Sequence, residues 1–350
     1  MRKVLLTGAG GYIGKHVALQ LLNKGYAVRA SVRDLKRAQE IKDALTPHLA
    51  PGINIETALS FVELDLEKDA GWSEALIGIE VLMHTASPFP IASPDDENEL
   101  IRPAVEGTLR AMRAAKSAGV KRVVLTSSVA AIYGIDLPAG VTEFDETMWT
   151  DVLHPVGKKA YTKSKTLAEK AAWDFVKNEA SEISLTTINP VLVLGVPLDS
   201  HYGSSISIVQ RVLKGKDPML PDLRFAIVDV KDVAKMHVDC IDVKATYGQR
   251  IVASSDTLSF VQIAKILKSA FPKSNTKTGK APNFLIRILA NFDADIRTIL
   301  PSLGKPMLVS NKKAKSLLGI SFISAQTSVE ESAAFLLKNQ RLTSSDSSLN

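Results

Sequence analysis

A glycine-rich turn near the amino terminus constrains the fold of this chain more than any other feature. An apolar run, a turn with glycines three residues apart and an amphipathic run follow one another in the sequence Leu5-Leu6-Thr7-Gly8-Ala9-Gly10-Gly11-Tyr12-Ile13-Gly14. Gly8 allows the tight turn, Gly11 lets the backbone approach a pyrophosphate, and Gly14 permits close helix packing. The first turn of the helix offers N–H groups to anionic oxygens. An unliganded βα turn is the alternative. The predicted dinucleotide site comprises Thr7, Gly8, Gly10, Gly11, Tyr12, Ile13 and Gly14.

The first 190 residues alternate short β-branched runs with longer helical patterns, which is typical of βαβ units in a parallel sheet. Strands are predicted at 3–7, 27–32, 60–64, 81–85, 122–126 and 185–188, and helices at 12–23, 99–118 and 158–177. We therefore predict an α/β fold, a Rossmann-type doubly wound parallel sheet with a smaller, interleaved C-terminal substrate lobe.

The second half of the chain has a different texture. After Asn189-Pro190, glycine and proline punctuate a stretch of loops that contains one short helical pattern at 206–213. A weak strand pattern at 224–228 and a helical pattern at 230–241 are predicted to rejoin the main sheet. The predicted organisation is a dinucleotide-binding domain at 1–190 with 223–254 returning to it, a substrate lobe at 191–222 and 255–342, and a frayed tail at 343–350.

Composition narrows the class of protein. The chain has 350 residues, 45% hydrophobic and 23% charged, as expected for a folded globular protein. Its net charge is +6, but the basic residues are scattered, which argues against a nucleic-acid surface. No apolar stretch reaches the ~20 residues that a membrane helix needs. The single cysteine, Cys240, excludes an intrachain disulfide and fits a reducing compartment. We expect a cytoplasmic monomer or homodimer with no metal, nucleic-acid or membrane partner.

The residue after the second predicted strand bears on the choice of nucleotide. NAD-binding folds commonly place an acidic residue there to hold the ribose 2′-hydroxyl, whereas this chain has Arg33. A guanidinium suits a 2′-phosphate because it is always charged and binds two oxygens at once. Lys36 and Arg37 follow one turn later. NADP(H) is therefore favoured, and NAD(H) is the alternative if Asp34 serves the ribose. The residues expected at the adenine, after the third strand, are Asp65 and Leu66.

A tyrosine and a lysine four residues apart open a long helical pattern, so Tyr161 and Lys165 share one face. We expect the ammonium to lower the pKa of the Tyr161 phenol from its ordinary value near ~10. Tyr161 would donate a proton to a carbonyl oxygen as hydride arrives at carbon, while Lys165 would hold the nicotinamide ribose. Ser128 follows the fifth strand and is expected to hydrogen-bond the same carbonyl. Each feature alone is common, but their order after the glycine turn favours catalysis.

These residues resemble the extended short-chain dehydrogenase/reductase superfamily, which is NAD-dependent epimerase/dehydratase-like. Segments at 84–88, 98–108, 164–170, 189–190 and 228–234 are similar to its dihydroflavonol 4-reductase and aldehyde reductase branch. The resemblance implies NADPH-dependent reduction of a ketone or an aldehyde. It places Ser128, Tyr161 and Lys165 at the catalytic positions and Arg33 at the contact with the 2′-phosphate.

The resemblance also implies positions around the cofactor and the substrate. The cofactor channel would be lined by Thr85, Ala86, Ser87, Thr126, Pro190 and Val193. The substrate pocket would include Ser128, Tyr133 and Phe89. Tyr133 stands where plant flavonoid reductases carry a polar contact residue, so a plant substrate does not follow from the resemblance.

The predicted activity is that of an NADPH-dependent reductase of a small or medium carbonyl compound, with Tyr161 as the general acid. A nucleotide-sugar epimerase or dehydratase on the same scaffold is one alternative, since Tyr133-Gly134 after Ser128 is similar to those enzymes. A non-catalytic dinucleotide-sensing regulator is a second alternative. His84 and His237 lie in apolar elements and are interpreted as packed histidines.

Overall fold

The computed structural model describes residues 1–87 and 96–346. Its strands are β1 (Lys3–Thr7), β2 (Ala27–Val32), β3 (Leu59–Glu63), β4 (Val81–His84), β5 (Arg122–Thr126), β6 (Ser184–Pro190), β7 (Leu192–Leu194), β8 (Arg224–Asp229), β9 (Gln249–Ala253) and β10 (Asp256–Ser259). The main sheet has the order β3-β2-β1-β4-β5-β6-β9, and its neighbours are parallel. The strand order reverses between β1 and β4, where a doubly wound sheet opens a crevice for ligands.

The helices are α1 (Tyr12–Asn23), α2 (Ala38–Leu45), α3 (Ile55–Ala58), α4 (Trp72–Ala75), α5 (Asn98–Ser117), α6 (Ala160–Asn178), α7 (Ser204–Leu213), α8 (Val230–Asp239), α9 (Phe260–Ala270), α10 (Asn283–Leu289), α11 (Ala294–Ile299), α12 (Lys312–Leu318) and α13 (Ala325–Asp346). Within the described ranges, no helix is both long and apolar enough to cross a membrane.

The main sheet is covered on both faces, because successive side chains of a strand point to opposite sides. Leu6 packs in one buried cluster with Val17 of α1, and Leu5 packs in another with Met112 of α5 and Phe175 of α6. Burial on both faces explains why the strands read as continuous apolar runs. The fold class predicted from the sequence is confirmed.

A second, three-stranded sheet has the order β10-β8-β7 and belongs to the smaller part of the molecule. The prediction that the strand at 224–228 rejoins the main sheet is wrong, because β8 pairs with β7 and β10 in this second sheet. β9 is the strand that returns, and it pairs with β6. The helix predicted at 230–241 corresponds to α8, which packs with α1 on the main sheet. A hydrophobic run identifies a strand but does not identify its partner.

The carboxyl-terminal helix is longer than the sequence suggests. α13 continues to Asp346, so its backbone includes part of the segment 343–350 that was predicted to be frayed. Residues 347–350 lie outside the described part of the chain. Ser328 and Ser332 of α13 are fully buried, and the Ser328 hydroxyl donates to Asp229 at 2.8 Å. These contacts fasten the helix to the end of β8.

Candidate active site

The glycine turn lies where β1 leads into α1, and two of its glycines have no room for a side chain. Gly8 has φ of +74°, and a Cβ there would lie 2.7 Å from the backbone nitrogen of Ala86. A Cβ on Gly14 would lie 2.1 Å from the carbonyl oxygen of Gly8. Since real Cβ atoms do not approach so closely, the turn depends on glycine at both positions. The turn is therefore a backbone-lined surface at the start of a helix.

The amino-terminal end of α1 has no side-chain cap. Its N–H groups are available to an anion, and the helix dipole favours negative charge at the same place. The Tyr12 hydroxyl already has an acceptor, because it donates to the carbonyl of Gly195 at 3.0 Å. Thr7 is fully buried and its hydroxyl lies 2.8 Å from Nδ1 of His84. The residues of the turn fit a dinucleotide pyrophosphate.

Two arginines follow β2 near this turn. Arg33 is exposed. The pKa of Asp65 is lowered mainly by a hydrogen bond from the Glu67 backbone N–H, and the charge of Arg33 contributes to this lowering. The guanidinium of Arg37 lies against the turn, 3.3 Å from where a Cβ on Gly10 would be. The sequence shows only that Arg37 follows Arg33 by about one turn. The structure places Arg37 against the glycine turn.

The neighbours of these arginines have local roles. Asp34 accepts from the backbone N–H of Lys36 at 2.8 Å, which is a cap interaction rather than a ribose contact. Lys36 itself is exposed. Leu66 packs against α5, where a Cβ on Gly107 would lie 3.0 Å from the Leu66 Cβ. Asp65 and Leu66 directly follow β3, and their place at the adenine stays a prediction.

The segment after β4 connects the glycine turn to α6. Thr85 donates through its hydroxyl to the carbonyl of Thr7 at 2.6 Å, and the backbone of Ala86 lies against Gly8. The Ser87 hydroxyl accepts from Nζ of Lys165 at 2.6 Å. The predicted channel residues Thr85, Ala86 and Ser87 therefore run from the turn to the predicted catalytic lysine.

Ser128, Tyr161 and Lys165 converge as the sequence predicts. The Ser128 side chain lies close enough to the Tyr161 phenol to lower its pKa, and Nζ of Lys165 lies 5.7 Å from the Tyr161 ring centroid. Burial lowers the pKa of Lys165 to about 8. Burial also raises the pKa of Tyr161, against the effect of the Ser128 side chain. The expected lowering of the Tyr161 pKa is therefore wrong for this structure, because desolvation outweighs the favourable contacts. A high pKa keeps the phenol protonated and able to donate.

Tyr133 lies beside this group. Its hydroxyl lies near Thr162, its ring meets Phe144 edge to face, and its proximity raises the pKa of Tyr161 further. Burial raises the pKa of Tyr133 itself. Phe89, the other residue predicted to line the substrate pocket, lies outside the described residues.

The remaining predicted channel residues lie on or just beyond strand ends. Thr126 ends β5, and its hydroxyl is 2.7 Å from Nε2 of His237. Pro190 ends β6, and Val193 is buried in β7 of the second sheet. The chain segment between them leaves the main sheet for the smaller one, so Pro190 and Val193 lie on that crossing.

The two histidines interpreted as packed are both deeply buried. His237 donates through Nδ1 to the carbonyl of Val233, and its Nε2 is hydrogen-bonded to the Thr126 hydroxyl. His84 contacts Thr7 through Nδ1, while its Nε2 has no partner among the described residues. Burial lowers the pKa of each histidine to about 4, so both are neutral at physiological pH.

A buried ion pair behind the site was not anticipated. Glu169 on α6 accepts from Nε of Arg250 on β9 at 2.7 Å, and neither side chain is more than 9% exposed. Glu169 lies four residues after Lys165, which is the one signal in the sequence that places it on the catalytic face of the helix. Arg250 gives no signal of its own.

Fold and site together are those of a Rossmann-type dinucleotide-binding enzyme. The model of the NAD dependent epimerase/dehydratase family matches residues 4–252. The chain belongs to this family, which is the extended short-chain dehydrogenase/reductase family predicted from the sequence.

Several relatives are similar over most of the chain. The NADPH-dependent methylglyoxal reductase GRE2 of Saccharomyces cerevisiae is 30% identical over 96% of this chain and 98% of its own length. The dihydroflavonol 4-reductase of Gerbera hybrida is 33% identical over 77% of this chain and 73% of its own length. The crystal structure of yeast methylglyoxal/isovaleraldehyde reductase Gre2 complexed with NADPH superimposes with a TM-score of 0.79, at 29% identity, covering 97% of this chain and 99% of that one.

Proposed function

We propose that this protein is an NADPH-dependent reductase of small or medium carbonyl compounds. One observation carries the proposal: Ser128, Tyr161 and Lys165 meet at the edge of the sheet that also holds the glycine turn. The relatives named NADPH-dependent reductases cover nearly all of the chain, which supports the same activity. Tyr161 and Lys165 distinguish this proposal from a regulator that only binds the dinucleotide, because sensing requires no acid.

The chain's own residues would hold NADPH along the crevice. The glycine turn and the uncapped start of α1 suit the pyrophosphate, since the turn carries no side chains at its glycines and the helix start offers N–H groups to anionic oxygens. Arg33 and Arg37 supply two guanidinium groups for the 2′-phosphate, and each can bind two oxygens. When bound, NADPH supplies the hydride for the reduction.

The polar side chains act on the carbonyl oxygen of the substrate. Ser128 lies near the Tyr161 phenol, so a carbonyl oxygen placed between the two side chains can accept from both hydroxyls. Tyr161 donates its proton to this oxygen, as its raised pKa permits. Lys165 is held at Ser87 and provides positive charge beside the phenol as it loses the proton.

The substrate class is small aldehydes and dicarbonyl compounds. Tyr133, backed by the ring of Phe144, places an aromatic ring near Tyr161, and this favours a compact, partly apolar substrate. Relatives named for methylglyoxal and isovaleraldehyde act on compounds of this size. The part of the chain assigned to substrate binding is the lobe at 191–222 and 255–342.

The setting of the enzyme is the cytoplasm, as a monomer or a homodimer. Cys240, the only cysteine, is buried and unpaired, which fits a reducing compartment. Size-exclusion chromatography with light scattering measures the oligomeric state directly.

A carbonyl panel assayed with both cofactors tests the proposal. NADPH oxidation is followed at 340 nm with methylglyoxal, short branched aldehydes, diketones and dihydroflavonols, and then repeated with NADH. We expect turnover of the small aldehydes and dicarbonyls with NADPH and much weaker turnover with NADH. Retention of tightly bound dinucleotide without oxidation by any carbonyl, together with conversion of a nucleotide sugar, would instead identify an epimerase or dehydratase.

A further inference from the structure

A buried carboxylate lies behind the catalytic face of α6. Tyr161, Lys165 and Glu169 follow one another at intervals of four residues, so they share one side of the helix. Glu169 is 1% exposed. It lines the same narrow cleft as Lys165 and Ser87, between α6 and the ends of β4 and β5. Glu169 is therefore a buried acid that lies close to the predicted catalytic groups.

Glu169 accepts hydrogen bonds from three strands or their ends. Its Oε2 accepts from the Ser127 hydroxyl at 2.5 Å and from Nδ2 of Asn189 at 2.7 Å. Its Oε1 accepts from the Thr187 hydroxyl at 3.0 Å and from Nε of Arg250 at 2.7 Å. An ionised carboxylate has about four lone-pair sites, which these short bonds use, and Nε1 of Trp173 adds a longer contact to Oε1 at 3.3 Å. One side chain therefore joins α6 to the ends of β5 and β6 and to β9.

Arg250 is itself fixed from several directions. It donates to the backbone carbonyls of Glu146 and Met148 at 2.8 and 2.6 Å. Its guanidinium lies 3.6 Å from the centroid of a Trp149 ring. Buried ion pairs often stabilise a fold no better than apolar side chains of the same size. We therefore interpret this ion pair as fixing the positions of the elements around it, rather than as a contribution to the free energy of unfolding.

The network reaches Ser128 by two routes. Nδ2 of Asn189, which donates to Glu169, also donates to the backbone carbonyl of Ser128 at 3.1 Å. Ser127, the adjacent residue, bonds Glu169 through its hydroxyl. The backbone on both sides of the Ser128 Cα is therefore tied to the helix that carries Tyr161.

We propose that Glu169 is a positioning residue, which holds the end of β5 against α6 so that Ser128 and Tyr161 present their hydroxyls to one carbonyl oxygen. This inference rests on the proposed function. Displacement of a catalytic group by about 1 Å can lower a rate ~100-fold, so a small shift of the Ser128 backbone is sufficient to matter.

The Asn189→Leu variant tests the branch that leads to Ser128, since leucine has a similar size but no amide. Trp173→Phe is the matched control, because Nε1 of Trp173 donates to the same carboxylate at 3.3 Å without a bond to Ser128. Rates are expressed per site competent to bind NADPH, measured by fluorescence titration. We expect kcat per competent site to fall ~10-fold or more in Asn189→Leu, with the NADPH Kd within about threefold, and to stay within about twofold in Trp173→Phe.

Glu169→Gln removes the centre of the network. The glutamine amide would place an N–H donor against side chains that are themselves donors, so the network cannot form in the same way. We expect kcat per competent site to fall ~100-fold. A purely structural role would reduce the number of competent sites and the melting temperature but would leave kcat per site unchanged. Unchanged kcat per site in both Asn189→Leu and Glu169→Gln, or equal losses in Asn189→Leu and Trp173→Phe, would overturn the proposal.

Crystal structures of the wild type and of Asn189→Leu give a readout that does not depend on turnover. The proposal expects the Ser128 and Tyr161 hydroxyls to lie close together in the wild type and further apart in the variant. An unchanged Ser128–Tyr161 separation contradicts positioning by Glu169. Absence of carbonyl turnover in the wild type, with this separation nevertheless altered in the variant, contradicts the proposed function and leaves the positioning role standing.

Discussion

The ammonium of Lys165 donates to the hydroxyl of Ser87 at 2.6 Å, and this bond joins α6 to the segment after β4. The same nitrogen lies 5.7 Å from the ring centroid of Tyr161. Lys165 is therefore directed toward the segment that is predicted to line the cofactor channel, and it lies beside the phenol. Its burial lowers its own pKa to about 8, which makes the charge sensitive to mildly alkaline conditions.

The Tyr161→Phe variant removes the acid while keeping the ring. We expect kcat to fall at least ~100-fold, the usual scale for loss of acid–base assistance, with NADPH affinity nearly unchanged. Tyr26→Phe is the control, because the Tyr26 hydroxyl donates to Asp242, which follows α8 and is not one of the predicted site residues. Steady-state kinetics and a fluorescence titration of NADPH measure the two quantities. Equal activity of the two variants would exclude Tyr161 as the acid.

The pH profile of kcat/KM for NADPH reports groups of the free enzyme. The pKa of Lys165 is about 8 in the folded protein, against an ordinary value of 10.5, so the ammonium loses its proton as pH rises through about 8. We expect kcat/KM to decline over pH 7–9 for this reason. Lys165→Arg, whose guanidinium stays charged, should lower the rate but abolish this decline. A decline that persists unchanged in Lys165→Arg belongs to another group.

Cofactor choice is expected to depend on Arg37 as well as on Arg33. Replacement of either by alanine should weaken NADPH binding ~10-fold or more, because each loses charged hydrogen bonds to the 2′-phosphate, and should affect NADH little. Lys265→Ala is the control, since Lys265 is an exposed cation on α9, which is not part of the glycine turn or of the segment after β2. Isothermal titration with both cofactors measures the ratio. Similar losses for NADPH and NADH would argue against a 2′-phosphate site here.

A methyl group on Gly14 is expected to disrupt the glycine turn. The Cβ would lie 2.1 Å from the carbonyl oxygen of Gly8, so the turn must move. We expect Gly14→Ala to cost about 1–3 kcal/mol of unfolding free energy, as overpacking usually does, and to abolish dinucleotide binding. Gly279→Ala, where a Cβ meets nothing within 4 Å, should leave both unchanged. Denaturant melts and NADPH titration distinguish the variants.

Local sequence patterns predict most of the main sheet. β1, β2, β5 and α1 begin and end where the patterns place them, since β-branched runs and amphipathic periodicity depend on nearby residues. The partner of a strand depends on distant residues. The pattern at 224–228 therefore identifies β8 but not its membership of the second sheet, and β9 was missed because its run of apolar residues is short. The family, the fold class and the relatives' activities agree with the predictions.

The candidate site divides in the same way. Ser128, Tyr161 and Lys165 follow from spacing and from their order after the glycine turn, and the structure brings them together. Most partners of Glu169 could not be predicted, because apart from Trp173 on the same helix its donors come from 127, 187, 189 and 250. The direction of the Tyr161 pKa was also beyond reach, since it depends on how deeply the phenol is buried.

The interleaving of the two sheets limits how this protein can be re-engineered. The chain leaves the main sheet after Pro190, returns at Gln249 and leaves again after Ala253, and the backbone N–H of Val191 bonds the carbonyl of Ala253. Replacement of the predicted substrate lobe by that of a related reductase would therefore require several chain junctions at once. All of them would lie close to the hydrogen bond between Val191 and Ala253. Variation of single pocket-lining loops is the route to altered selectivity that leaves this hydrogen bond intact.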